Sequence, residues 1–209
     1  MSLRLNKYLK ILRKEASRFE RTDINNKVDE SFRAKYSVKI TFAIISIGLV
    51  LLLKNGFSES FVSYVSSVLS ILVGLFITAL IFSFDKFYEP SNEENPNSRI
   101  KLWETQAHNY AKKFAYITSY TIVLSIFTLV LLAVSALFEK STQLNVFNLS
   151  FCFECAKNIE CNAFKLFSIA IFVIIQRFLV LYWLLKIMYN TLFIVSSMVQ
   201  YMTTKIDRK

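Results

Sequence analysis

The chain is poor in the residues that punctuate a fold. Its 209 residues include only three glycines and two prolines. Turn-rich all-β folds, collagen-like repeats and low-complexity linkers all draw heavily on these residues, so none of them fits. Histidine occurs once, as His108, and cysteine three times. There is no H-E-x-x-H, no G-x-S-x-G, no phosphate-binding P-loop and no G-x-G-x-x-G. With neither paired carboxylates nor a nucleophile–base pair in an apolar stretch, the expectation is a non-enzyme without a cofactor. No cleavable signal peptide is evident, because the first apolar run begins near Val38 behind a charged N-terminus.

What the chain has instead is apolar residues in blocks, 54% of the total. A first run, Ile40–Leu53, is short and bounded by Lys39 and Lys54; it reaches spanning length with Tyr36–Val38 if Lys39 snorkels. Longer runs cover Phe61–Phe84, Phe114–Phe138 and Leu166–Leu185. About 20 residues cross a bilayer core, so the pattern predicts an all-α, four-helix polytopic membrane protein. The organisation is then a basic N-terminal segment 1–37, a transmembrane hairpin 38–84, a loop and helix extension 85–113, a second hairpin 114–185 with an outer loop 139–163, and a helical extension with a basic tail, 186–209. Helix-breaking residues are lacking after Leu185 and between Ser98 and Phe114, so long helices are expected to extend beyond the spans.

The net charge of +10 is unevenly distributed. With four crossings, the side holding both termini carries 20 Lys/Arg and the opposite side carries four. The corresponding acids number 11 and four. By the positive-inside rule the termini are cytoplasmic, in a bacterial inner membrane. Topology accounts for the excess, and direct nucleic acid binding is not needed to explain it.

Several residues are candidates for chemistry. Gln176 and Arg177 lie near mid-membrane in the register Leu166–Leu185. Arginine there costs about 2.5–3.5 kcal/mol on insertion scales, and no Asp or Glu lies within a span to pair with it. One reading is a ring of arginines forming an anion-attracting or gating constriction in an oligomer. The other is a shifted span, Phe178–Met202, which puts Arg177 at the interface and buries Lys186 and Asn190 instead. Small residues recur at helical spacing as Ser63, Ser67, Ser70, Gly74 and Thr78, and again as Thr118, Thr121, Ser125 and Thr128, with Ser135 further along. Such stripes serve close helix packing or line a wet path, and either way a homo-oligomeric bundle is a reasonable expectation. Cys152, Cys155 and Cys161 share the outer loop and permit one disulfide with an odd thiol. A zinc site lacks a fourth ligand there. Near residues 3–21, Lys7, Lys10, Arg13, Lys14, Arg18 and Arg21 surround Leu5, Tyr8, Leu9, Leu12 and Phe19 in an amphipathic helical pattern. Its partner is the anionic leaflet, a cytosolic protein or solvent.

In size, four spans, basic ends and an Ile/Phe/Asn/Lys-rich composition usual for AT-rich genes, the chain resembles small four-pass membrane components of bacterial anti-phage systems. The membrane subunit of the Kiwa system and retron-associated membrane effectors are similar in plan. The resemblance implies an inner-membrane homo-oligomer that detects infection or damages the membrane, together with a cytosolic effector protein. It carries no motif, so it assigns no residue a role. An oligomeric sensor or scaffold, a depolarising pore and an accessory subunit of another membrane complex all remain open at this level.

Overall fold

A computed structural model describes residues 5–22, 28–53, 56–87, 98–137 and 160–206. The described residues form five helices: α1 (Leu5–Phe19), α2 (Phe32–Leu52), α3 (Glu59–Phe87), α4 (Ser98–Leu137) and α5 (Glu160–Ile206). Between α1 and α2 there is a single isolated bridge, Thr22 to Val28. The continuous 40 residues of α4 and 47 of α5 follow from the absence of glycine and proline within them.

Among the described residues three helices, not four, are long and apolar enough to cross a membrane: Glu59–Ser83, Thr105–Ala136 and Ala170–Gln200. The apolar part of α2, Tyr36–Leu52, is shorter. The reason lies in its sequence, because Arg33, Lys35 and Lys39 occupy the first turns of a 21-residue helix.

Short polar devices set the helix ends. The α2–α3 connection places Gly56 at a φ of 87°, a conformation that glycine adopts without a Cβ clash. Ser58 then opens α3, its Oγ accepting from the Phe61 amide at 3.2 Å and its carbonyl accepting from Val62 at 3.0 Å. Ser58→Ala is expected to cost about 1 kcal/mol, the usual worth of an N-cap. Gly56→Ala costs at least as much, because alanine is strained at positive φ. Thermal melts of the purified protein in detergent would show both variants below wild type, while Ser60→Ala melts with it. Before α2, the Ser31 amide donates to the Asp29 carboxylate at 2.9 Å. Hydrogen bonds from Ser31 hold that carboxyl below its ordinary range.

The chain divides into two compact units, Met1–Ser37 with Leu72–Leu124 and Ile187–Lys209, and Val38–Ile71 with Ser125–Lys186. The first unit is built around Phe19, Phe76, Phe114, Ile117 and Ile194. Here α1 buries Leu12, Ala16 and Phe19, one residue per turn on a single face, and Phe19 stacks on Tyr116 at 5.4 Å. In the second unit α4 and α5 bury Leu132, Ala170, Val173, Val180 and Leu181, and Phe127 packs at a tilt on Trp183 at 6.3 Å.

Polarity is inverted relative to a water-soluble bundle. Along α4 the buried positions include Thr118, Thr121, Ser125, Thr128 and Ser135. Along α5 they include Gln176, Arg177, Lys186, Asn190 and Ser197. Exposed positions on the same helices are Ile126, Phe127, Val130, Ile171, Phe172, Ile175, Leu192, Val195 and Val199. Large apolar side chains outside and hydrogen-bonding groups inside suit a hydrocarbon solvent, where an unsatisfied polar group is costly.

Candidate functional site

α5 carries the polar residues on which the two possible registers turn, and its position settles which of them are inside protein. Gln176 is 3% exposed, Arg177 2%, Lys186 7% and Asn190 fully buried. All four fall within the apolar stretch Ala170–Gln200. Each is buried, whereas Ile171, Ile175 and Leu192 of the same helix are exposed.

In the second unit Gln176 and Arg177 line a cavity of about 540 Å³. The start of α3 supplies Glu59, Ser60, Val62 and Ser63, Phe57 precedes them, α4 adds Ser135 and Ala136, and α5 adds Val173, Gln176 and Arg177. The amide of Gln176 is held from one side. Its Nε2 donates to the Ser135 hydroxyl at 2.7 Å and to the Leu131 carbonyl at 2.8 Å. Its Oε1 is buried and has no hydrogen-bond partner among the described residues. Arg177 Nη1 points to the Leu53 carbonyl at 3.5 Å, just past the last residue of α2. That distance is long for a hydrogen bond. Its electrostatics are favourable, because the C-terminal carbonyls of a helix carry partial negative charge. The buried guanidinium is therefore placed at a helix end, and Glu59 is a carboxylate on the lining of the same cavity.

The first unit repeats both devices. Asn190 Nδ2 donates to the Thr121 hydroxyl at 3.1 Å, and that hydroxyl donates to the Ile117 carbonyl at 2.7 Å. An α5 amide meeting an α4 hydroxyl is thus found in each unit. Both Thr121 to Ser135 and Gln176 to Asn190 are intervals of two heptads. Lys113 Nζ donates to the Thr22 carbonyl at 3.3 Å, beyond the end of α1, and lies 5.4 Å from the centre of the Phe193 ring. A cation again faces the carbonyl end of a helix.

The two small-residue stripes part company. Thr118, Thr121, Ser125 and Thr128 of α4 are completely buried. Ser63, Ser67, Ser70, Gly74 and Thr78 of α3 are all exposed. The hydroxyls of Ser67, Ser70 and Thr78 turn back to the carbonyls of Ser63, Ser66 and Gly74, and a Cβ at Gly74 would meet nothing within 4 Å. Only 11% of the spanning stretch of α3 is buried, against 39% for α4 and for α5.

On α1 the basic residues Lys7, Lys10, Arg13, Lys14 and Arg18 are exposed, with Tyr8 and Ile11 also open. Arg18 lies 3.7 Å from Glu15. Arg21 does not join this surface. Its Nε donates to the Ser17 carbonyl at 3.1 Å and its Nη1 reaches the Asp29 carbonyl at 3.5 Å, so it ties the end of α1 to the approach of α2. Cys152 and Cys155 lie outside the described residues, as does the side chain of Cys161, which sits in the first turn of α5. Among the described residues no three His, Cys, Asp or Glu side chains gather as a metal site requires.

Sequence reasoning singled out Gln176 and Arg177 and missed Glu59, Ser60, Phe57 and Val62. A signal for Glu59 exists, since it is an acid at the first turn of an apolar helix. Its convergence with Arg177 needs the tertiary fold. Comparison with protein families, with curated proteins and with solved structures gives no match for this chain.

Proposed function

We propose that the protein is a homo-oligomeric inner-membrane component of anti-phage defence, acting as a sensor or scaffold for a cytosolic effector. The observation that carries this reading is α1. Leu12, Ala16 and Phe19 bury one face of the helix, which leaves Lys7, Lys10, Arg13, Lys14 and Arg18 exposed on a docked support. A basic surface held in place offers charge complementarity to an acidic partner, which speeds encounter and sets orientation. The 20-to-four distribution of Lys/Arg supports cytoplasmic termini. It also supports a fourth crossing by α2, whose 21 residues reach about 31 Å at 1.5 Å per residue, with Lys39 snorkelling. The exposed small-residue face of α3 is the self-association surface in this reading.

The pore reading has less support. Of the residues that motivated it, Arg177 and the α4 stripe Thr118, Thr121, Ser125 and Thr128 are buried within one chain, which leaves the exposed α3 stripe to line a lumen.

The test is co-purification from detergent before and after phage infection. A cytosolic protein is expected to accompany the wild type, and reversing charge at Lys7, Lys10 and Lys14 together is expected to release it without lowering the melting temperature. Absence of any cytosolic partner under both conditions would sink the proposal. Oligomerisation has its own readout. Gly74→Leu should shift the detergent-solubilised protein towards the monomer in native mass spectrometry, because the branched side chain holds facing helices apart. An unchanged mass distribution would remove α3 from the interface.

A further inference from the structure

The cavity of the second unit has a lining of unusual balance for a membrane protein. Its wall holds one guanidinium, Arg177, and one carboxylate, Glu59, with apolar surface from Phe57, Val62 and Val173. Among the described residues the formal charges on it are therefore one positive and one negative. The buried Oε1 of Gln176 is an acceptor with no donor among the described residues, while Nε2 of the same amide is fully engaged. A ligand suited to this lining brings an anionic group to Arg177 and an N–H donor to Gln176 and Glu59. It also carries no net charge, since a net anion would be opposed by Glu59 and a net cation by Arg177. The volume, about 540 Å³, falls in the usual range of small-molecule sites, roughly 300–1,000 Å³.

We propose that this cavity binds a zwitterion bearing a phosphate and a primary ammonium, supplied as the headgroup of an ethanolamine phospholipid. The phosphate lies against the Arg177 guanidinium, which favours planar oxyanions. The ammonium donates to Gln176 Oε1 and faces Glu59. The first carbons of the acyl chains follow the apolar lining of Phe57, Val62 and Val173. A phospholipid of the glycerol class has the phosphate and a hydroxyl donor but a net negative charge, so Glu59 selects against it. The site is separate from the α1 surface and does not depend on the defence reading.

The experiment uses the full chain, delipidated in a phosphate-free detergent and reloaded from an equimolar mixture of ethanolamine and glycerol phospholipids with identical acyl chains. Retained lipid is counted by native mass spectrometry. Wild type is expected to keep one ethanolamine lipid per chain with a preference of about tenfold, the factor expected of one charge-assisted hydrogen bond. Arg177→Leu lowers retention of both lipids, which share the phosphate, and Gln176→Leu weakens retention while Glu59 keeps the preference. Glu59→Gln, at an exposed position that does not threaten folding, turns the preference towards the glycerol lipid. Retention by wild type in the ratio of the mixture, or a Glu59→Gln variant with unaltered selectivity, would overturn the proposal. A separate arm adds millimolar glycerophosphoethanolamine. The loaded lipid is expected to stay bound, and its displacement by the soluble headgroup would overturn the lipid source in favour of a soluble zwitterion.

Discussion

Replacing Phe19 by alanine is expected to undock α1. The ring is buried, stacks on Tyr116 at 5.4 Å and belongs to the cluster with Phe76, Phe114, Ile117 and Ile194. Truncating a buried phenylalanine costs about 3–5 kcal/mol. Against that, α1 has 15 residues, and an isolated helix of about that length is marginal in water. Its other anchors among the described residues include Leu12, Ala16, the Lys113 contact to the Thr22 carbonyl and the Arg21 contact to the Asp29 carbonyl. The anchoring lost is therefore a large share of what keeps the helix in place. Hydrogen exchange by mass spectrometry is the measurement. Amides of residues 5–22 are expected to exchange at least about 100-fold faster, as a loss near 3 kcal/mol dictates, while those of 114–132 keep their protection. Unchanged exchange in 5–22 would show that α1 is held by something other than this aromatic contact. The same variant bears on function, since a released α1 no longer presents Lys7, Lys10 and Lys14 on a fixed support.

The second large effect is expected at Asn190, and it depends on which residue replaces it. Asn190→Asp puts a carboxylate at a fully buried position. It also removes the Nδ2 donor that meets Thr121. The Thr121 hydroxyl already donates its single proton to the Ile117 carbonyl, so an aspartate there gains a donor only if that bond is broken. A buried ionised carboxylate without donors is costly enough that the group protonates or the structure opens. A loss of several kcal/mol is expected, and with it most of the folded protein. Asn190→Leu behaves differently. It gives up one interhelical hydrogen bond, worth about 0.6 kcal/mol on average inside membranes, and it also removes Oδ1, a buried acceptor with no partner among the described residues. Its melting temperature is expected within a few degrees of wild type. Fluorescence size-exclusion chromatography and thermal melts separate the two outcomes. A tolerated aspartate would mean that Asn190 is wet, and a poorly folded leucine variant would mean that the Thr121 bond carries far more than its usual share.

Both predictions rest on residues whose type was visible from the start and whose partners were not. Asn190 entered the sequence reading as one alternative to Arg177, each excluding the other from the membrane interior. In the structure both are buried, one in each unit, because a 47-residue helix meets protein on different faces along its length. Phe19 entered as part of an amphipathic stripe with three possible partners. Packing chose the protein interior for Phe19, Ala16 and Leu12 and left Tyr8 and Ile11 open.

The sequence by itself determined that the protein is helical, where the long helices run and that three of them can span a bilayer. Long apolar runs without glycine or proline admit little else, since hydrocarbon requires every backbone hydrogen bond to be made locally. The apolar part of α2, Tyr36–Leu52, is shorter than the spanning stretches of the other three helices, so its crossing depends on Lys39 snorkelling. The sequence could not distinguish Ser63–Thr78 from Thr118–Thr128, because both stripes have the same residue types at the same spacing. In water a buried face is marked by being apolar, whereas in lipid the surroundings are as apolar as the core and that mark disappears. Only the tertiary structure decided that the α4 hydroxyls are inside and those of α3 outside. It alone brought the α2 carbonyl end, Glu59, Ser135, Gln176 and Arg177 together, since they belong to four helices or their ends and no local pattern encodes their meeting.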